Sequence, residues 1–172
     1  MKLTTKQLTL CAVLTAMALA LSYLENLFPL SLAIPLPGIK LGLANIVTVF
    51  TVFALGPGEG ILVLAARIFL GAVFCGNFSS ILYSAAGGAC AIAVTIALRR
   101  ILTRKQLFVA GCLGAMAHSV GQIAMAALVL GTASVFVYLP VLLTVSLVTG
   151  LFTGLCAQFL VDRGNLWKTI LT

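Results

Sequence analysis

Long apolar runs alternate along this chain with short breaks of glycine, proline and charge. The runs cover residues 8–28, 41–55, 60–74, 81–98, 107–130 and 135–161. Several reach the roughly 20 residues that a helix needs to cross a bilayer. The breaks are Pro29 with the Pro35-Leu36-Pro37-Gly38 stretch, Gly56-Pro57-Gly58, Gly76-Asn77 and Gly131-Thr132, all turn formers and all too brief to be domains. The pattern predicts an all-α, polytopic bundle of six transmembrane helices in a single integral membrane domain over residues 1–172. The second and third runs are short and glycine-interrupted, so one re-entrant pair is an alternative. The first run also has the basic residues Lys2 and Lys6 ahead of it and small residues within it, as a cleavable signal would. It continues to Phe28, however, which is long enough to span.

Charge then orients the bundle. With the N-terminus inside, Lys2, Lys6, Arg99, Arg100, Arg104, Lys105, Arg163 and Lys168 all fall on the cytoplasmic side, as basic residues in short loops do. Of the remaining two, Lys40 lies outside and Arg67 lies within a span. This partition fits an even number of spans, with both termini cytoplasmic, in the plasma membrane. Composition agrees: 62% of the 172 residues are hydrophobic and 8% charged, with a mean hydropathy of +1.25. The net charge of +7 does not form a patch interleaved with aromatics, so nucleic-acid binding is not indicated.

Composition also limits the chemistry. The chain holds three carboxylates (Glu25, Glu59, Asp162), one histidine and five dispersed cysteines without a CxxC pair. Neither a disulfide framework nor a metal site is indicated, and most acid–base mechanisms would lack parts. No GxxxxGK[ST] phosphate loop is present, so the chain has no ATPase of its own. An aspartate-rich motif that could hold magnesium on a diphosphate is missing too, which argues against a self-sufficient prenyl-diphosphate synthase. The reading is therefore a non-enzyme without a cofactor.

Arg67 is the most informative residue. A charge this deep in an apolar run costs at least ~2.5 kcal/mol to insert unless it faces water or a partner, so it points into the bundle. It either receives the anionic group of a ligand, through the bidentate geometry that suits carboxylate or phosphate, or it is balanced internally by Glu59, two turns away, or by helix C-terminal carbonyls. His118 and Gln122, four residues apart, project from one face of the fifth run. They either read a polar ligand or hydrogen-bond a neighbouring helix. Lys40, Gly42 and Asn45 stand at the outer entrance of the second run, after a proline-stiffened loop that is either a lid or only a tight connection. Helical rise places Asn45 in the outer third and Arg67 and His118 near the middle, a polar funnel opening outward. Ala12, Ala16 and Ala20 repeat every four residues along the first run, the spacing of close helix–helix contact. They suit either a partner subunit or internal packing, whereas Gly87, Gly88, Gly150 and Gly154 suit packing of the bundle itself.

Taken together, Pro37-Gly38-Ile39-Lys40-Leu41-Gly42-Leu43-Ala44-Asn45, residues 67–71 with Ser84-Ala85-Ala86-Gly87-Gly88, and Gly114 through His118 to Gln122 resemble the small membrane proteins called Gx transporters. These are also labelled heptaprenyl diphosphate synthase component I. That family is similar in turn to the substrate-binding S components of energy-coupling-factor (ECF) transporters. The resemblance implies six helices, an external loop that closes over the ligand, and a small-residue face on the first helix, which Ala12, Ala16 and Ala20 match. It also implies partners: a membrane coupling protein and two cytoplasmic ATPases. The two labels conflict, and the missing acidic ligands favour transport. The expected function is a substrate-capturing subunit for uptake of a small anionic or polar-aromatic nutrient or cofactor precursor. Arg67 would hold the acidic group, His118, Gln122 and Asn45 would add hydrogen bonds, and Lys40 would attract the ligand. The alternatives are an accessory membrane subunit of heptaprenyl diphosphate synthesis and a stand-alone transporter that uses His118 as a proton-responsive group.

Overall fold

In the computed structural model, residues 4–27, 40–75 and 78–163 are described. Their helices are α1 (Thr5–Leu27), α2 (Asn45–Ala54), α3 (Pro57–Cys75), α4 (Phe78–Arg99), α5 (Leu107–Leu130) and α6 (Leu139–Asp162). No strand occurs among the described residues, and the apolar runs and helices coincide closely. Local chemistry sets several ends. Thr4 and Gln7 exchange hydrogen bonds ahead of α1, the backbone N–H of Thr4 donating to Gln7 Oε1 at 3.0 Å and that of Gln7 to Thr4 Oγ1 at 3.3 Å. This reciprocal cap satisfies two donors that the helix leaves open. Pro57 opens α3, where its missing N–H costs nothing. Gly131 closes α5 at φ +64°, the left-handed conformation favoured at helix C-termini.

Five helices, all but α2, are long and apolar enough to cross a membrane. Their outer faces carry exposed Leu, Val and Phe side chains such as Phe69, Val73, Leu128 and Phe159, a surface suited to lipid rather than water. The chain is thus a multi-pass helical membrane protein. The ten residues of α2 rise only ~15 Å, about half of the hydrocarbon thickness. Nearly every side chain of α2 is buried, so this element fills the bundle rather than facing lipid.

The closest packing is between α5 and its neighbours α6 and α4, and it depends on small residues. A Cβ added at Gly111 would collide with the Gly150 carbonyl and with Gly154 Cα, and one at Gly154 would lie 2.6 Å from Phe108 Cα. A Cβ at Gly121 would lie 2.7 Å from the Ala86 carbonyl oxygen of α4. Backbones therefore touch directly, which substitutes for side-chain interdigitation in a solvent that supplies no hydrophobic drive. Ser119 and Ser146 hydrogen-bond across the α5–α6 seam. Gly87, Gly150 and Gly154 serve this packing, and Gly88 instead lets α4 approach Leu64 and Ile68 of α3, so all four pack the bundle as expected. By contrast α1 leans on α3 and α2, and its Ala12, Ala16 and Ala20 are exposed.

Candidate functional site

The segment that feeds α2 builds the site. Residues 40–44 are not regular helix, although they lie against the middle of α5: a Cβ at Gly42 would be 3.4 Å from His118 Cδ2 and 3.0 Å from Asn45 Nδ2. Irregular backbone at this depth must have its polar groups satisfied by protein. Three buried or half-buried side chains from three helices do so. Glu25 of α1 accepts a hydrogen bond from the N–H of Leu43, and the Gly42 N–H also interacts with its carboxyl. Gln122 of α5, its amide oriented by its neighbours, donates to the Lys40 carbonyl at 3.1 Å and accepts from the Lys40 N–H at 3.2 Å. Thr149 of α6 reaches the Leu41 carbonyl at 3.5 Å. Gly42 itself sits at φ +84°, a conformation that costs glycine nothing.

This anchoring corrects the funnel drawn from helical rise. Asn45 begins α2 beside His118, the twelfth of the 24 residues of α5, so it lies near the middle of the bundle rather than in the outer third. The second run begins there as irregular chain with a turn, and regular helix starts only at Asn45. The proline-rich loop read as a possible lid falls on residues 29–37, outside the described residues.

A cavity of about 520 Å³ opens above this segment between α1, α3 and α4. Lys40, Arg67 and His118 line it together with Glu25. Arg67 is 6% exposed, Glu25 5% and His118 3%. Glu25 is electrostatically coupled to both Arg67 and Lys40. Arg67 is therefore not balanced by Glu59, which sits in the first turn of α3 beside Gly56 and near Arg99. Leu19, Tyr23, Ile68, Ala72, Phe74 and Ile81 give the cavity apolar walls, and Ser22, Ser80 and Ser84 add hydroxyls. Two cations and one carboxylate inside apolar walls form a site that can hold an anionic group and shelter a nonpolar body.

The expected residues thus divide. Arg67, His118 and Lys40 meet at the cavity. Gln122 is fully buried and does not line it; its amide clamps the Lys40 backbone and accepts from His118 Nε2 at 3.2 Å. Asn45, 3% exposed, also lies off the cavity wall, and neither of its amide atoms has a hydrogen-bond partner. Glu25 was missed, although it stands alone near the end of the first apolar run, which was the available signal. Among the described residues no group of three or more His, Cys, Asp or Glu side chains is placed to hold a metal ion.

Replacing the fully buried Gln122 with leucine should leave the Lys40 N–H and C=O without their side-chain partner, at roughly 1–3 kcal/mol each. A marked drop in the thermal unfolding midpoint in detergent is expected, and an unchanged midpoint would show that the clamp is dispensable.

Fold and site define the class as a polytopic helical membrane protein with a small charged cavity inside the bundle. A family model described as heptaprenyl diphosphate synthase component I matches residues 14–160, and the chain belongs to that family. The family name describes one component of a synthase and so implies a partner component. No curated protein and no solved structure matches the chain.

Proposed function

We propose that this protein is the substrate-capturing membrane subunit of an ATP-driven uptake system for a small anionic or polar-aromatic nutrient or cofactor precursor. The observation that carries the reading is the cavity with Arg67 and Lys40 at its base. A buried cation is expensive in a bilayer, and a site that keeps Arg67 buried, with the half-buried Lys40 beside it, around one carboxylate is prepared for a further negative charge. The bundle is oriented with the basic ends of α1, α4 and α6 in the cytoplasm, so the cavity faces outward. The chain encodes no phosphate loop, so energy comes from a membrane coupling protein and two cytoplasmic ATPases, as in the ECF transporters it resembles.

The partner docks on the exposed face of α1 that carries Ala12 and Ala16. These residues line an apolar groove with Leu62, Ala66 and Leu70 of α3, and small residues there permit close helix approach. Replacing Ala16 with leucine should weaken association with the coupling protein at least tenfold while sparing ligand binding, as read by co-purification and by a binding assay on the same sample. Unaltered association would return the stripe to lipid contact.

The reading as a whole is tested by uptake into membrane vesicles. ATP-dependent accumulation that is lost without the partner proteins is expected. Accumulation by the purified chain alone, driven by a pH gradient, would instead make it a stand-alone transporter. The family name favours a second reading, an accessory membrane subunit of heptaprenyl diphosphate synthesis, in which the same cations contact a diphosphate. Dependence of a soluble synthase subunit on this chain for activity would support it.

A further inference from the structure

The charge count of the cavity narrows the ligand. Glu25, Lys40 and Arg67 are its acidic and basic side chains, and counted as one carboxylate and two cations they sum to one positive charge. The count does not depend on the undescribed segments, because residues 26–39 and 76–79 contain no Asp, Glu, Lys, Arg or His. All other charged residues stand at the opposite end of the helices or in the terminal segments. His118 is counted as the neutral ring: it is buried on the same cavity as Arg67 and Lys40, and its Nε2 donates to Gln122. Glu25 is turned onto the Gly42 and Leu43 backbone, so it neutralises one cation without offering a free carboxylate to a ligand ammonium.

We infer that the cavity takes a ligand with a single negative charge, a carboxylate head on an apolar body, rather than a phosphate or diphosphate ester. This rests on the ligand-capture reading and deepens it. A carboxylate brings the cavity to neutrality and suits the planar fork of Arg67. A phosphate ester carries about −1.5 to −2 at pH 7 and would leave uncompensated negative charge beside Glu25 in a poorly solvated site, which is costly. The apolar walls formed by Leu19, Tyr23, Ile68 and Ile81 accommodate the body. A diphosphate, the head group of the synthase reading, fits this count least well.

The test uses the chain reconstituted in lipid nanodiscs, with two probe series that each keep one body and change only the head. These are naphthalene-2-acetate, naphthalene-2-acetamide and 2-naphthyl phosphate, and octanoate, octanamide and octyl phosphate. Geranyl diphosphate is added as a polyanion. Binding is read by thermal unfolding and native mass spectrometry. In at least one series the acid is expected to bind about ten- to a hundredfold more tightly than its amide, the range of a charge-assisted contact, and more tightly than its phosphate.

Two variants move the count. Lys40→Gln should erase the advantage of acid over amide, and Glu25→Gln, which keeps an acceptor for the Leu43 N–H, should shift preference toward the phosphate. If Glu25→Gln does not fold, Lys40→Gln carries the comparison. Tighter binding of a phosphate or of geranyl diphosphate to the unaltered chain would overturn the single-charge inference while leaving anion capture standing. Equal binding of acid and amide, or no binding of either acid, would overturn it as well. Only the amide tie would also remove the anionic head from the capture reading.

Discussion

Arg67→Ala lowers ligand affinity by about thirtyfold to several thousandfold, the range for truncating one partner of a buried, hydrogen-bonded charge pair. The expectation follows from position. Arg67 lies midway along α3, almost wholly buried, on the wall of the cavity. Its electrostatic partner among the carboxylates is Glu25, and Glu25 also serves Lys40 and two backbone N–H groups. A ligand anion therefore completes the neutralisation of the guanidinium. Arg67→Lys separates charge from geometry: it keeps the cation but loses the planar fork, so an intermediate loss is expected. Isothermal titration with the ligand that co-purifies, or with naphthalene-2-acetate, measures both variants. Unchanged affinity in a folded Arg67→Ala protein would make the arginine only the internal counter-ion of Glu25.

Gly111→Leu is expected to be the most damaging single change to the fold. Overpacked cores ordinarily lose about 1–3 kcal/mol because flexible side chains can move aside. At Gly111 the obstacles are the Gly150 carbonyl and Gly154 Cα, which are backbone and can yield only if α5 and α6 separate. Separation would pull His118 and Gln122 away from residues 40–44 and break the Thr149 contact to Leu41, so the floor of the cavity fails with the seam. Little monodisperse protein should be recovered in detergent. Gly71→Ala is the control, since the added methyl would meet only Leu19 Cδ2, at 3.7 Å. Its unfolding midpoint should stay at or above the original. Normal recovery of Gly111→Leu would show that the seam is looser than described.

Much of this architecture was legible in the apolar runs, because a bilayer forces each span to be continuous, apolar and helical. The glycine punctuation and the buried placement of Arg67 and His118 followed from the same constraint. The depth of α2 was not legible. Leu41 and Leu43 are as apolar as any helical residues, and only tertiary packing shows that Thr149 and Glu25 satisfy their irregular backbone.

The partner of Arg67 was hidden for a related reason. Spacing along α3 relates Arg67 to Glu59, whereas the effective neighbour comes from α1, and one sequence does not encode which helices adjoin. Gln122 was recognised as polar and inward, but its target, a main-chain segment, left no pattern of its own. The alanine face of α1 was legible as spacing, and only the packing of α1 against α3 shows that it divides, Ala12 and Ala16 bordering the outer groove with α3 while Ala20 lines the cavity instead.

The central claim, capture of a small anion for partners that supply ATP hydrolysis, is tested most directly by purifying the tagged chain from its native membrane in mild detergent. Mass spectrometry then identifies every co-purifying protein and small molecule. Two ATPases with a membrane coupling protein are expected, together with a bound acid that is lost from the Arg67→Ala protein. Recovery of a prenyl synthase subunit without any ATPase would contradict the claim.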